Sequence, residues 1–283
     1  MLAACDGGAA EPCVRDDECA SGFCKADGTC GPASDGDGGI DPPADGTSAL
    51  CAPDQDGTIV ASEMPLAAGK MATFRVSTAA MFQTAGDASG TGSRSWNLAV
   101  ALDGDVDRPI TLASPTGAWW EASFPDATYA TTLAEGSDLL GVFRVQPTAV
   151  TLLGVVSPEA GSFKTELAYD PPASILALPF HAGSTWSSTS TISGTAQGAI
   201  TAYTERYSSL VDEVGTMTTP YGDFPVLRVA TDLERTQGFA TLSTSRTFAW
   251  VAECFGTVAT ARSQELESKA EFDDPAEVRR LIP

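Results

Sequence analysis

The chain of 283 residues predicts an all-β protein of antiparallel sheet, and three observations carry that expectation. Beyond Thr58, runs rich in Val, Thr, Phe, Trp, Ala and Leu are broken by Gly, Pro and Asp every eight to fifteen residues. That rhythm belongs to short strands joined by tight turns. Helix signals are thin. The clearest is Asp273-Asp274-Pro275-Ala276-Glu277, where an acidic cap precedes a proline at the first helical position, so a short terminal helical turn is expected through Val278-Arg279-Arg280-Leu281. Finally, a content of 43% hydrophobic residues is that of a globular chain with a core to bury.

Taken from the N-terminus, residues 1–30 form the first element. Seven cysteines stand at 5, 13, 19, 24, 30, 51 and 254, five of them within the first thirty residues. Cys13, Cys19, Cys24 and Cys30 lie in CVRDDECASGFCKADGTC, which has little apolar to bury, so covalent links must replace a core. Two disulfides are expected there, with three connectivities open. A zinc knuckle would gather its ligands as Cys-x2-4-Cys pairs; two of the three spacings here hold five residues, and the lone histidine, His181, is remote.

Residues 31–57 form the second element, a tether dominated by Gly, Pro, Asp, Ala and Ser that cannot offset its own ordering entropy. Residues 1–57 carry twelve acids against Arg15 and Lys25, a net charge of −10, and self-repulsion extends them. Cys51 and Cys254 remain as a further disulfide pair, closing a loop of about two hundred residues worth roughly 5 kcal/mol in the chain-entropy model. Reshuffled pairing with the front cluster is the alternative.

The opening Met1-Leu2-Ala3-Ala4-Cys5 resembles the tail of a bacterial lipoprotein signal: Leu-Ala-Ala-Cys matches the lipobox. The resemblance implies that Cys5 carries a diacylglyceryl group, the charged and apolar parts of a full signal lying upstream. Parity agrees, since six cysteines remain without Cys5. The Cys-rich head and acidic tether together resemble those of bacterial cell-envelope lipoproteins, which implies a secreted chain at the outer membrane or cell surface, held to the membrane by its lipid.

The third element, residues 58–283, is the β body. Candidate strands are 71–78, 95–102, 119–124, 129–133, 140–145 and 150–156, then 185–192, 199–210, 224–233, 239–251 and 257–264. Met64-Pro65-Leu66-Ala67-Ala68-Gly69 and Leu178-Pro179-Phe180-His181-Ala182-Gly183 each feed a strand and suggest two related halves, 58–170 and 171–283. Tyr169-Asp170-Pro171-Pro172 supports a junction there, because proline cannot continue a central strand. The Thr219-Pro220-Tyr221-Gly222-Asp223-Phe224 segment is similar to a Thr-Pro-x-Gly-x-Phe hairpin of periplasmic and outer-membrane β proteins of poorly defined role. It implies a strongly curved antiparallel sheet, either a half-barrel or a sandwich, with the aromatic entering the core.

Charge and motif content narrow the function. Sixteen basic against thirty-seven acidic residues, net −21, exclude nucleic acid as a partner. A single His181 and the lack of a Gly-x-Ser-x-Gly elbow remove the usual nucleophilic triads, and no catalytic residue is assigned. Asp103-Gly104-Asp105-Val106-Asp107 begins like a calcium loop, but Arg108 replaces its glycine and Ser114 its closing glutamate, so no metal or other cofactor is assigned. Glu121 beside Trp119-Trp120, and Glu253 near Trp250, are acids close to indoles. If 119–124 is a strand, alternation buries one of Trp119 and Trp120 and presents the other as a binding face. The expectation is a non-catalytic binding or structural protein with an unidentified envelope ligand. The alternatives are an amphiphile carrier whose curved sheet encloses an apolar cavity, and a carbohydrate-binding or carbohydrate-active protein.

Overall fold

The computed structural model describes residues 51–89 and 92–283. The expectations for Cys5, Cys13, Cys19, Cys24 and Cys30, for the head, and for the tether up to residue 50 lie outside the described residues. Among the described residues the chain is all-β, with strands β1 (Thr58–Ile59), β2 (Met71–Ser77), β3 (Asp87–Ala88), β4 (Arg94–Asn97), β5 (Val106–Thr111), β6 (Tyr129–Thr132), β7 (Leu140–Gln146) and β8 (Ala149–Val156). They are followed by β9 (Glu166–Ala177), β10 (Phe180–His181), β11 (Thr185–Ala196), β12 (Ala199–Thr219), β13 (Gly222–Gln237), β14 (Ala240–Ala252), β15 (Gly256–Arg262) and β16 (Glu277–Ile282). No helix among the described residues is long and apolar enough to cross a membrane.

One sheet runs in the order β5-β2-β16-β15-β14-β13-β12-β11-β9-β8-β7-β6, each neighbour antiparallel. Its two edges meet just beyond β5, where Ala113 and Ala130 exchange backbone hydrogen bonds of 2.8 and 3.0 Å. Arg108 reaches Glu135 across the same seam at 2.7 Å. The sheet is therefore rolled into a nearly closed barrel, and the curved alternative holds over the sandwich. Rolling removes the exposed edge that an open sheet leaves free for unwanted pairing.

Alternation along the strands assigns the two faces. The inner face gathers Tyr129, Phe143, Leu152, Ile192, Val211 and Val229 from strands spread across the sheet, which only a rolled sheet can bring together. Outside, the segment around β3 and β4 covers β12 to β16, burying Trp96, Leu98, Phe248 and Trp250. The connection between β5 and β6 covers β6 to β8 in the same way, burying Trp120, Phe124 and Val142. A strand with apolar residues on both faces reads as a continuous apolar run, as Val150 to Val156 does.

Four sequence expectations are corrected. Residues 119–124 are not a strand: Glu121–Ser123 form a 3-10 turn, and the i, i+4 spacing of Trp120 and Phe124 sends both rings under it, 6.3 Å apart. Phe124 packs against Gly154, where a Cβ would stand 2.3 Å from the ring. The expected helical turn at 278–281 is strand β16, because β2 and β15 both offer it a ladder and burial of Val278, Leu281 and Ile282 outweighs a local cap signal. Tyr169 to Pro172 does not end a strand. Strand β9 runs through it, and its prolines fall where β8 pairing skips from Ala168 to Ala173 and β11 pairing stops at Asp170, so no ladder donor is lost. The 95–102 run shortens to β4, which pairs in parallel with the end of β12.

Residue 170 falls within β9, and β2 and β5 sit beside β16 in the same sheet. The two similar segments do play similar local parts: each places a glycine at positive φ, Gly69 at 85° and Gly183 at 82°, shortly before β2 and β11.

Candidate functional site

Two hairpin turns and the first described residues build a pocket at one end of the barrel. Thr219 pairs with Gly222 around Pro220-Tyr221, and Ala252 pairs with Gly256 around Glu253-Cys254-Phe255. Cys254 adopts φ 64° and Gly256 φ 71°, the left-handed geometry that closes a short hairpin. Cys254 is bonded to Cys51, with Cα atoms 5.4 Å apart. The expected bridge is therefore present, and it binds the chain entering the barrel to the turn between β14 and β15.

Beside this bridge lies a cavity of about 360 Å³, lined by Pro53, Gln55, Tyr221, Phe224, Pro225 and Phe255 among others. Phe224 and Phe255 meet edge to face with centroids 4.9 Å apart, and Tyr221 stands 6.0 Å from Phe255 and 5.9 Å from Phe224. Phe224 is buried, as its hairpin pattern implied, whereas Tyr221 is 51% and Phe255 41% exposed. Rigid rings half-open to solvent beside two prolines offer a preformed apolar surface.

Carboxylates adjoin it. The Gln55 N–H donates to Glu253 at 2.8 Å, and the Val60 N–H donates to Glu63 at 2.9 Å. One carboxylate oxygen from each of Asp54, Glu63 and Glu253 lies within 4.8 Å of the other two. Of the described residues, this oxygen set is the one suited to a hard cation.

A second concavity, about 620 Å³, crosses β11 to β14 on the outer face between Ser187, Ser208, Asp232, Arg246, Phe248 and Glu271. Its charges are tied to one another. Arg228, almost wholly buried, holds Asp212 at 2.8 Å and Glu271 at 2.7 Å, and its guanidinium lies 4.2 Å over Phe248. Arg246 holds Asp232 at 2.7 Å and donates to the carbonyls of Lys269 and Ala270. Burial pushes Arg228 down, but the hydrogen bonds and charges of Asp212 and Glu271 outweigh it and hold the group above its ordinary value.

Within the barrel, Glu205 is fully buried and accepts from Tyr207 at 2.6 Å, Tyr169 at 2.9 Å and Arg235 at 2.6 Å. Burial, reinforced by the Glu205 charge, pushes both phenols well above their usual range, so both remain donors. This is a satisfied polar network, and such networks fix a unique packing.

The other sequence candidates are dispersed. Trp120 is buried; Trp119 is half-buried, donating to the Ser157 carbonyl at 3.0 Å beneath the Lys164 ammonium, 4.0 Å from its ring. Neither forms an open platform, because the segment is a turn packed on β8 and not a strand. His181 is exposed in β10, its Nδ1 2.9 Å from the Ala182 carbonyl. In the acidic 103–107 run, Asp105 pairs with Arg280 and Asp107 with Arg75. Sequence reasoning did not single out Tyr221 and Phe255, which line the pocket. The available signal was that each occupies a hairpin turn, one of them next to a bridging cysteine.

Comparison of the chain with protein-family models, with curated proteins and with solved structures gives no match.

Proposed function

We propose that this chain is a non-catalytic binding protein of the bacterial cell envelope, anchored by a lipid on Cys5 and presenting its barrel at the end of an acidic tether. The observation that carries the reading is the Cys51–Cys254 bridge where the tether meets the barrel. Disulfides that hold two distant parts of a fold together form and persist in oxidising compartments and are rare in the cytoplasm. Binding is favoured over catalysis by the outer concavity, where Asp212, Asp232 and Glu271 each face an arginine. Acid and base work needs carboxylates free to exchange a proton.

The pocket of Tyr221, Phe224 and Phe255 is the place for the ligand: a flat apolar face would lie against the rings. A sugar ring is the second reading, favoured because Asp223 and Glu253 line the same pocket and can accept from its hydroxyls. The carrier reading has less support, since side chains such as Tyr129, Phe143 and Ile192 fill the inner face.

Intact and peptide mass spectrometry of the full-length protein from its native membrane, without reduction, tests the proposal. A diacylglyceryl mass on the Cys5 peptide and a joined Cys51–Cys254 peptide are expected. An unmodified product recovered with reduced thiols overturns it.

A further inference from the structure

The opposite end of the barrel differs in chemistry. Strand β14 carries the chain about 40 Å from the Cys254 turn to the β13–β14 turn. There three connections lie side by side, those of β8–β9, β11–β12 and β13–β14. Gly198 in the second abuts Ser162 and Phe163 in the first: a Cβ there would stand 3.1 Å from the Ser162 carbonyl and 3.4 Å from the Phe163 ring. Gln237 at the third donates to the Ala202 carbonyl at 3.0 Å.

At or beside each connection a large apolar side chain is exposed. Phe163 is 80%, Ile200 93% and Phe239 111% exposed, with Leu242 at 51% beside Phe239. The hairpins also project, since β14 pairs with β15 from Thr247 onward and the chain after β15 bonds only Arg246 and Thr244 further on, leaving residues 240–243 beyond that edge. Residues 192–204 and 236–245 contain no Asp, Glu, Lys or Arg, in a chain of net charge −21.

We infer that these three turns form a membrane-contact surface that dips Phe163, Ile200 and Phe239 into the interfacial zone of a bilayer of uncharged or zwitterionic lipid. Three arguments select a bilayer. The apolar groups are separate and convex, so each can enter a fluid interface without a complementary rigid pocket, and apolar burial at that boundary drives association. The tips of Ile200 and Phe239 bring no ionised group that would have to be desolvated, and beside Phe163 the Lys164 ammonium is already held by Glu166 at 2.9 Å, while the acidic remainder of the chain is repelled from anionic surfaces. The tether between Cys30 and Cys51 alone has a contour of about 70 Å, longer than the barrel strand, so a lipid on Cys5 leaves the far end of the barrel within reach of the same bilayer.

The proposal deepens the membrane-associated reading above, and its test runs without the lipid so that the two stand or fall separately. The full-length chain carrying Cys5→Ser is floated with phosphatidylcholine vesicles. Co-flotation is expected, weakening as phosphatidylglycerol is added at low salt. Combining Phe163→Ser, Ile200→Ser and Phe239→Ser should lower partitioning by about tenfold or more, with the circular dichroism spectrum and unfolding midpoint unchanged. Failure of the Cys5→Ser chain to float, or equal flotation of the combined variant, overturns the inference. So does concentration-dependent dimerisation that the combined variant abolishes, with no vesicle binding, because the tips would then meet a second copy.

Discussion

The two ends of the barrel are built from the same element, the antiparallel hairpin, yet are finished in opposite ways. At one end the β14–β15 turn is bonded to Cys51, and the rings of Tyr221, Phe224 and Phe255 pack against one another. At the other, Phe163, Ile200 and Phe239 pack against little, and order comes from deeper in, where Glu205 links β9, β12 and β13 through Tyr169, Tyr207 and Arg235. A hairpin held by a covalent bond can shelter its apolar groups in a shaped pocket. A hairpin held by a buried network further inside leaves its tip free to carry exposed ones. On the reading proposed above, recognition belongs to the first end and surface contact to the second.

Breaking the first fastener should have the largest effect. Replacing both Cys51 and Cys254 by serine releases a loop of about two hundred residues and should lower stability by about 5 kcal/mol in the chain-entropy model, read by urea unfolding, while vesicle flotation stays intact. Loss of flotation in that variant would show that the ends are not independent.

A buried charge pair on the outer layer ranks next. Arg280 is fully buried and bonded to Asp105 at 2.9 Å, so Asp105→Ala strands a guanidinium and should cost about 3–5 kcal/mol. Burial raises the Asp105 pKa, but the hydrogen bonds from Arg280 and the Leu102 N–H, with the charges of Arg280 and Arg75, outweigh it and hold the group below its ordinary value. A carboxylate depressed in the folded state stabilises fully above its unfolded value of about 3.9, and that stability is lost as pH falls through the lower folded value. Acid unfolding below about pH 4 should therefore be shallower in the Asp105→Ala variant than in the parent.

The second fastener comes third. Glu205→Leu leaves two buried phenols without their acceptor and should cost about 2–4 kcal/mol. Hydrogen exchange should rise first in β9, β12 and β13 near the projecting turns, with the disulfide end unchanged. The smallest expected effect on stability is that of Phe239→Ser, within about 0.5 kcal/mol because the ring is fully exposed. The same substitution should weaken vesicle binding measurably.

How much of this was legible in the sequence depended on whether local and long-range signals agreed. Strands β2, β7 and β8 were readable almost to the residue because turn residues bound them and, in β7 and β8, the apolar runs are largely buried. Strand β9 was hidden by Pro171 and Pro172, which occupy a gap in the ladder that only the pairing reveals. Strand β16 was hidden by an N-terminal pattern suited to a helix, and β5 by acids that resembled a cation loop but serve Arg75 and Arg280. The Cys51–Cys254 bridge was legible by elimination, once Cys5 is set aside and the four front cysteines are paired with one another. The pocket was not, since bringing Tyr221 to Phe255 requires two separate hairpins to end at the same rim. Nor were the exposed tips: Ile200 and Phe239 read as ordinary strand residues until β11 to β14 are seen to outrun β15.

Hydrogen exchange of the full-length Cys5→Ser chain with and without phosphatidylcholine vesicles tests the two-ended account most directly. The account predicts protection gained in the turns at 161–164, 197–200 and 237–242, with exchange unaltered around 220–225 and 252–256. Protection at the disulfide end, or at neither end, would contradict it.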